Sequence, residues 1–197
     1  MIATVVLAAG KSRRMGRQKL LLPFAGKPLI VHVINEVLRA EAGPVFAVIS
    51  PASTAVAEIL NGLPVTVVTN LLPDGDMLSS VRCGLMALPG DCTGFLLVLG
   101  DQPGITAAMV NRLIDAGRSS QKSMVLPVCQ GRRGHPLLVS LVHRDEILTR
   151  HDGTGLRGLL QSHPGDIEEV PVDDPGCLED MDFPEDYARL SGKRAAD

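Results

Sequence analysis

Aromatic residues are scarce in this sequence of 197 residues, which has no tryptophan, one tyrosine and four phenylalanines. Its core must therefore be built from aliphatic side chains and alanine. No apolar run approaches the roughly 20 residues that a membrane-spanning helix needs. The formal net charge is −3, so a strongly basic surface is also lacking. These absences argue against a membrane or a nucleic acid as the main partner.

The four cysteines stand far apart and form no CxxC pair, which argues against a cysteine zinc site and favours buried, reduced thiols. The first apolar run is too short for a signal peptide and lacks a basic leader, so we expect a cytoplasmic location. The length suits one domain, which we predict over residues 1–190, with a flexible tail at 191–197.

A basic loop follows the first apolar run. Residues 2–10 are β-branched and apolar and end in two alanines and a glycine, which predicts a buried strand opening into a tight loop. Residues 11–19 then hold five Lys or Arg and no acid. Glycine permits close approach of a ligand, loop N–H groups cradle phosphate oxygens, and guanidinium groups bind them bidentately. The pattern suits a polyphosphate, although a solvated basic loop is the simpler interpretation. Its spacing is neither a Walker A motif nor GxGxxG.

The order of residues in this loop is more specific than its charge. Residues 7–19 read Leu-Ala-Ala-Gly-x-Ser-x-Arg-Met-Gly-x-x-Lys, and residues 21–30 read Leu-Leu-Pro-Phe-Ala-Gly-Lys-Pro-Leu-Ile. This resembles the signature of the MobA-like nucleotidyltransferases, particularly the molybdenum cofactor cytidylyltransferases. The resemblance implies that Lys19 stabilises charge at the α-phosphate and that Arg14 holds the β- and γ-phosphates. The nucleotide-binding residues that it implies are Leu7, Ala8, Ala9, Gly10, Ser12, Arg14, Lys19, Asn70, Ser79 and Ser80.

Strands and helices alternate through the rest of the chain. We predict strands at 44–49, 64–69, 95–99 and near 167–172. We predict one helix that begins at Pro28, one capped by Ser53 or Thr54, one at 77–88, one capped by Thr106, two near 143–150 and 154–161, and one that begins at Pro184. Residues 124–128 and 136–139 flank a basic turn and predict an antiparallel hairpin. The alternation predicts an α/β fold with a mostly parallel sheet and helices on both faces. The resemblance implies the three-layer, Rossmann-like nucleotidyltransferase fold.

Asp101 follows the predicted central strand in the segment Gly-Asp-Gln-Pro. The carboxyl end of a middle strand is where open α/β sheets bind ligands, and carboxylates together with nucleotide phosphates hold Mg²⁺. A turn aspartate bonded to its own backbone is the alternative. The segment resembles the metal-binding segment of the family, which implies Mg²⁺ as cofactor and a catalytic role for Asp101 beside Lys19 and Arg14.

Asp182 belongs to a second acidic segment, Asp-Met-Asp-Phe-Pro-Glu-Asp at 180–186. Alternate residues of an extended segment face the same way, so Asp180 and Asp182 can point inward together. An N-cap at the following helix is the alternative for Asp182. The family's Asp-Ile-Asp-Thr-Pro-Glu-Asp resembles this segment and implies that Asp182 supports the metal. Whether Asp180 does so stays open, and Phe183 departs from the family's threonine.

Three further segments resemble family motifs with less specificity. Residues 70–80 resemble the base-recognition loop, although Ser79 and Ser80 are also ordinary first-turn residues of a helix. Gly134 and His135 resemble a substrate-side Gly-His-Pro, and residues 152–157 resemble a glycine-rich acceptor loop. The acceptor-binding residues implied are Gly134, His135 and Arg157. We interpret the other histidines as surface or helix residues: His32, His143, His151 and His163.

The resemblance implies a Mg²⁺-dependent transfer of CMP from CTP to molybdopterin, giving molybdopterin cytosine dinucleotide and pyrophosphate, with a molybdenum hydroxylase as recipient. Ala9 favours cytidine, because the guanylyltransferases usually carry glycine there. Two alternatives remain at this point. One is a related transferase with another phosphorylated acceptor, and the other is a non-catalytic carrier that hands the cofactor to a hydroxylase.

Overall fold

The computed structural model describes residues 1–72 and 75–194, and its centre is a mixed sheet covered by helices on both faces. The strands are β1 (Ile2–Ala8), β2 (Pro23–Phe24), β3 (Lys27–Pro28), β4 (Val45–Ile49), β5 (Thr66–Thr69), β6 (Gly94–Leu99), β7 (Met124–Cys129), β8 (Arg132–Arg133), β9 (Leu137–Ser140) and β10 (Ile167–Pro171). The α-helices are α1 (Leu29–Arg39), α2 (Thr54–Leu60), α3 (Met77–Ala87), α4 (Ala107–Ser119), α5 (Arg144–Thr149), α6 (Leu156–Ser162) and α7 (Pro184–Arg194).

The strand order across the sheet is β10-β7-β9-β6-β1-β4-β5, with β8 paired to β7. Strand β1 runs parallel to both β4 and β6, with Ala8 opposite Ile49 and Leu7 opposite Leu99. Strand β9 is antiparallel to both β6 and β7, whereas β10 runs parallel to β7. The α/β class, the mostly parallel sheet and the antiparallel hairpin are therefore confirmed.

Side chains on the two faces of the sheet pack in two separate hydrophobic cores. Val6 and Ala8 of β1 pack in the core that contains residues of α1, α2, α4 and α7. Ala3 and Val5, which point to the other face, pack in the core that contains residues of α3, α5 and α6. This alternation with a period of two explains why an unbroken apolar strand is needed at the centre of three layers.

Two capping expectations had different outcomes. Thr106 caps α4 as predicted, because its side chain accepts a hydrogen bond from the Met109 backbone N–H at 3.2 Å. Ser53 precedes α2, but its hydroxyl bonds to the Ser50 hydroxyl at 2.8 Å, so side-chain capping of α2 by Ser53 was wrong. Of the predicted tail, residues 191–194 lie in α7, and residues 195–197 lie outside the described part.

Within the described residues, every helix is too short or too polar to cross a lipid bilayer.

Candidate active site

One buried ammonium group joins two carboxylates at the carboxyl end of the sheet. Lys19 is 7% exposed, and its Nζ donates to Asp101 Oδ2 at 2.5 Å and to Asp182 Oδ1 at 2.7 Å. Burial acts to lower the pKa of Lys19, but Asp101 and Asp182 outweigh it, and the pKa is raised above 10.5. Lys19 is therefore a permanent cation at physiological pH.

The strand end explains why Asp101 lies here. Strands β1 and β6 are neighbours, and the Gly100 backbone N–H donates to the Leu7 carbonyl oxygen at 3.0 Å. A Cβ at Gly100 would stand 2.8 Å from that oxygen and 2.9 Å from Ile30 Cδ1, so only glycine fits this close approach. Gly100 therefore turns the chain directly after β6 and leaves Asp101 at the rim beside the end of β1.

Asp182 is brought to this rim by the segment that leads into α7. The Met181 backbone N–H donates to the Asp101 carbonyl oxygen at 3.0 Å, which ties the segment to the end of β6. The Asp186 carboxylate accepts hydrogen bonds from the backbone N–H groups of Asp182 and Phe183 at 3.2 and 2.9 Å. Asp186, and not Asp182, thus satisfies the donors before α7.

Arg14 lies at the outer edge of the same cluster. Its guanidinium donates to Asp182 Oδ2 at 2.9 Å and stands 5.6 Å from the centre of the Phe183 ring. Phe183, the departure from the family's threonine, thus supplies a cation–π surface. The Arg14 side chain is 67% exposed, so its ion pair adds at most about 1 kcal/mol to stability and leaves the guanidinium accessible to a ligand.

The loop between β1 and Lys19 is held by Ser12. The Ser12 hydroxyl donates to Gln18 Oε1 at 2.9 Å and accepts from the Lys19 backbone N–H at 3.1 Å. Met15 is buried in the core, which anchors the middle of the loop. The Ser12 side chain therefore holds the loop in place around Gln18 and Lys19, and its contact with a nucleotide stays a prediction.

A cavity of about 260 Å³ opens beside Lys19. Six predicted site residues line it: Leu7, Ala9, Gly10, Ser80, Asp101 and Asp182. Ala8 is fully buried behind it in the core, and Lys19 reaches its wall through the two aspartates. The structure therefore gathers residues from the first loop, the end of β6, α3 and the segment before α7 around one space.

Asn70 lies behind the wall of this cavity rather than in it. Its Oδ1 accepts from the Leu72 backbone N–H, and its Nδ2 donates to the hydroxyls of Ser79 and Ser80 at 2.9 and 3.1 Å. The Ser79 hydroxyl donates its own hydrogen bond to the Asp76 carbonyl oxygen at 2.7 Å. Within the described residues, the Ser80 hydroxyl hydrogen has no acceptor in the protein, so it is available to a ligand.

A larger cavity of about 700 Å³ adjoins the first. The two share Asp76, Met77, Leu99 and Asp180 in their walls. The predicted acceptor residues Gly134, His135 and Arg157 all line the larger one. A transfer between a ligand in one cavity and a ligand in the other would thus take place beside Asp180 and Asp101.

Two groups near the junction have shifted pKa values. Burial lowers the pKa of His135 below its usual 6.5, although the charge of Asp101 opposes this, so the imidazole is neutral at pH 7. Burial raises the pKa of Asp180, and the nearby Asp101 and Asp182 raise it further, whereas a hydrogen bond from Gln102 lowers it. The carboxylates at this junction therefore repel one another when no cation beyond Lys19 is bound.

Sequence reasoning missed the residues that hold these elements together. Gln102 is 2% exposed and donates to Asp180 Oδ1 at 2.6 Å. Arg82 of α3 donates to the carbonyl oxygens of Ile147 and Arg150 at 2.8 and 2.6 Å and to Asp152 at 2.7 Å, which fixes the start of the glycine-rich loop. Their partners lie 65 to 78 positions away in the chain, so no local pattern indicates them.

Two of the remaining histidines are helix residues, as one of the two interpretations expected. His32 belongs to α1 and His143 ends a 3₁₀ turn before α5, and each is only 7% exposed. His32 Nε2 hydrogen-bonds to the Pro103 carbonyl oxygen at 3.1 Å. His143 Nε2 likewise contacts the Ser123 hydroxyl at 2.5 Å, and a polar partner on each ring lowers the cost of its burial.

Comparison with known proteins agrees with this architecture. Residues 4–167 match the family model described as the MobA-like NTP transferase domain. A protein of Paenarthrobacter nicotinovorans named nicotine blue oxidoreductase is 29% identical over 96% of each chain. A Mycobacterium bovis protein named as a molybdenum cofactor guanylyltransferase is 32% identical over 77% of this chain and 72% of its own length. The chain spans about a third of a GlmU protein of Leifsonia xyli, at 32% identity.

Solved structures extend the likeness to the whole fold. Rv0371c of Mycobacterium tuberculosis H37Rv superposes with a TM-score of 0.83 at 30% identity, covering 97% of both chains. Rv0371c has also been solved in complex with manganese, and that structure superposes with a TM-score of 0.81 at 27% identity over 97% of this chain and 98% of its own. Because the family model matches residues 4–167, well over half of the sequence, and the fold is shared throughout, this chain belongs to the MobA-like NTP transferase family.

Proposed function

We propose that the protein is a cytidylyltransferase that moves CMP from CTP to the terminal phosphate of molybdopterin, forming molybdopterin cytosine dinucleotide and releasing pyrophosphate. The observation that carries the proposal is the contact of Lys19 with both Asp101 and Asp182, which line the smaller cavity beside Asp180, a residue of both cavities. A cation held by two carboxylates near the junction of two cavities suits a phosphoryl centre between two ligands. The product would serve the maturation of a molybdenum hydroxylase.

The donor set at this point fits a hard divalent cation. Asp101 and Asp182 present carboxylate oxygens to the same Lys19 Nζ at 2.5 and 2.7 Å, so the two groups are close enough to share one small ion. Carboxylates plus nucleotide phosphates are the usual ligands of Mg²⁺ in proteins. We propose Mg²⁺ as the ion, and bound there it would neutralise phosphate charge. The manganese complex of Rv0371c supports a divalent site in a relative.

The chain's own residues do the positioning. The Lys19 ammonium already lies beside Asp101 and Asp182 at the wall of the smaller cavity. It can therefore bind an α-phosphate held between these aspartates without a large movement of its side chain. Arg14 reaches outward and can hold the β- and γ-phosphates bidentately. Such a transfer needs no covalent enzyme intermediate, because alignment of the two substrates and neutralisation of charge supply most of the catalysis.

The acceptor would occupy the larger cavity. Arg157 is exposed at its wall and can pair with an anionic group of molybdopterin, and neutral His135 can donate one hydrogen bond there. The position of Asp180 between the cavities, as a carboxylate whose ionised form is disfavoured by its surroundings, supports a role beside the transferred group.

The choice of CTP is the finer part of the proposal. The Ala9 methyl group narrows the smaller cavity, and the free Ser80 hydroxyl hydrogen matches the O2 or N3 acceptors of cytosine. The relative named as a guanylyltransferase makes GTP the competing nucleotide.

Pyrophosphate release from each of the four NTPs, with and without molybdopterin, tests the proposal directly. We expect release only with CTP, Mg²⁺ and molybdopterin together. Asp101→Asn should abolish it while the circular dichroism spectrum is kept, and Asp145→Asn on the exposed side of α5 is the matched control. Release with GTP would identify a guanylyltransferase. Molybdopterin binding without release from any NTP would identify a carrier.

A reductase is the second candidate, because the relative named an oxidoreductase aligns with almost the entire chain. Oxidation of a reduced nicotinamide nucleotide or of dithionite-reduced flavin in the presence of nicotine blue measures this activity. We expect none above background, since neither the Lys19 cluster nor the basic loop has a use in hydride transfer.

A further inference from the structure

Three of the five histidines gather around one glutamate outside both cavities. Glu146 of α5 accepts a hydrogen bond from His151 Nε2 on Oε1 and from His163 Nε2 on Oε2, each at 2.8 Å. His143 Nδ1 stands 3.8 Å from the same Oε2, and the rings of His143 and His163 lie 4.7 Å apart. His143, Glu146 and His163 each offer a ligand atom, all within 4.8 Å of one another.

The partners of His143 determine which of its nitrogens carries hydrogen. The Ser123 hydroxyl donates to the Asp166 carboxylate, which as a carboxylate can only accept. The single hydroxyl hydrogen of Ser123 is used in this bond. At the 2.5 Å contact with His143 Nε2, the Ser123 oxygen must therefore accept a hydrogen bond from the ring nitrogen. Neutral His143 thus carries its hydrogen on Nε2 and directs the Nδ1 lone pair towards Glu146.

A lone pair and a carboxylate that face each other repel unless a cation lies between them. In tetrahedral zinc sites with bonds of about 2.0–2.1 Å, ligand atoms are about 3.3 Å apart. Glu146 Oε2 lies 2.8 Å from His163 Nε2, which is shorter than this spacing, and 3.8 Å from His143 Nδ1, which is longer. Both distances are within about 0.5 Å of the spacing in a zinc site. The outer contacts are of the kind that orient metal ligands, since His151 holds Glu146 and the Ser123–Asp166 pair holds His143.

We propose that His143 Nδ1, Glu146 Oε2 and His163 Nε2 form a second metal site, selective for Zn²⁺ or a similar borderline ion and distinct from the aspartate site. Two imidazoles and one carboxylate with a fourth position for water are a zinc ligand set, whereas Mg²⁺ prefers oxygen ligands. The His163 side chain is 34% exposed, so the site has an entry path from solvent.

The position of this site gives it a consequence for the larger cavity. His151 and His163 flank residues 152–162, and seven of those residues line the larger cavity: Gly153, Thr154, Gly155, Leu156, Arg157, Leu160 and Gln161. Both ends of the segment are therefore tied to one carboxylate. A bound ion replaces the hydrogen bond to His163 with a coordinate bond and fixes the segment that carries Arg157.

Equilibrium dialysis and Co²⁺ absorption spectroscopy test the site. The background is Asp101→Asn, which weakens metal binding at the aspartate pair. We expect one equivalent of Zn²⁺ at micromolar free metal, and intense Co²⁺ d–d bands of tetrahedral type without thiolate charge-transfer bands. Glu146→Gln and His163→Gln should each remove this binding. His163 is partly exposed, so its variant should fold, and a circular dichroism spectrum checks this.

Two control variants sharpen the result. Asp145→Asn changes the exposed neighbour of Glu146 and should leave Zn²⁺ affinity unchanged. His151→Gln removes only an orienting hydrogen bond and should weaken affinity by roughly 10- to 100-fold. Zn²⁺ should also slow amide hydrogen exchange in residues 152–162 in the parent and not in His163→Gln. Binding that survives in Glu146→Gln and His163→Gln, a cysteine charge-transfer band, or no bound Zn²⁺ would each overturn the proposal.

Discussion

Charge balance at single residues decides what the candidate active site can hold. Asp101 and Asp182 lie close enough to Asp180 to raise its pKa, and Lys19 is the buried cation among the three aspartates. The free protein therefore bears unneutralised negative charge at the place where we propose a divalent ion. A site built in this way is less stable empty than filled.

Asp180→Asn should stabilise the free protein, because it removes a carboxylate whose ionised form the fold disfavours. A raised pKa in an acid means that its cost to stability is fully present above the folded pKa and absent below the unfolded value near 3.8. The gain in Tm should thus be largest at neutral pH and fade as the pH falls towards 4. Asn can still accept the hydrogen bond from Gln102.

Thermal unfolding of Asp180→Asn and wild type from pH 4 to pH 8 measures this effect, and Asp145→Asn controls for the loss of one exposed charge. A Tm difference that does not change with pH would contradict the electrostatic explanation. We also expect slower pyrophosphate release from the variant, because Asp180 lies in the wall of both cavities.

Ala9→Gly tests the origin of nucleotide choice. Its methyl group lines the smaller cavity and should exclude the larger guanine ring. A misfitting base also misplaces the α-phosphate, and a displacement of about 1 Å can cost on the order of a hundredfold in rate. The variant should lower the ratio of kcat/KM for CTP to kcat/KM for GTP, but the ratio should still favour CTP because the Ser80 contact remains. An unchanged ratio would assign the selectivity to another residue.

At the level of secondary structure, the first turn of α3 organises one side of the smaller cavity. Asp76 caps the helix by accepting from the Ser79 backbone N–H at 2.8 Å, and Asn70 fixes both serine hydroxyls. A Cβ at Gly75 would stand 2.3 Å from Ser79 Oγ, so this turn requires glycine. The segment thereby presents Ser80 to the cavity in a fixed orientation.

Asp76→Ala should cost about 1 kcal/mol of stability, as expected for loss of an N-cap, and lower Tm by roughly 2–4 °C. It should also raise KM for CTP, since Ser79 and Ser80 lose their anchor. Asp76→Asn, which can still accept the hydrogen bond from Ser79, is the matched control. It should keep most of the wild-type stability and most of the wild-type affinity for CTP. Differential scanning calorimetry and steady-state kinetics measure the two effects. A normal KM in a destabilised Asp76→Ala protein would separate the cap from nucleotide binding.

Across the whole molecule, the two cavities draw on different parts of the chain. The smaller one is lined by residues from β1, its loop, α3 and the ends of β6 and the acidic segment, and the larger one adds β7, β9 and α6. Insertion of β9 between β6 and β7 creates this division, because it brings Gly134 and His135 to the same rim as Asp101.

His135→Ala and Arg157→Ala should therefore weaken use of molybdopterin while leaving CTP binding nearly intact. Loss of one charge-assisted hydrogen bond corresponds to a rise in KM for the acceptor of roughly 10- to 100-fold. Calorimetric titration with CTP and kinetics with varied molybdopterin separate the two effects. Equal loss of CTP affinity in both variants would show that the larger cavity does not bind the acceptor.

The sequence by itself determined the fold class and the local parts of the candidate site. Alternating apolar strands and amphipathic helices fixed the three layers, because the spacing of apolar side chains reports which faces are buried. The motif from Leu7 to Lys19 and the Gly-Asp pair after β6 indicated that the candidate site lies at the carboxyl end of the parallel strands. Each of these signals is contained within about twenty consecutive residues.

Only the tertiary structure decided which of these parts meet. Lys19 reaches Asp101 across 82 positions and Asp182 across 163, and Glu146 joins His151 and His163 around a loop of the larger cavity. Asn70 turned out to lie behind the cavity wall, which its polarity did not indicate. Periodicity reports that a side chain is buried, but its partner is set by sheet order and by packing between distant segments. For that reason the site's charges could be found in the sequence, whereas their pairing could not.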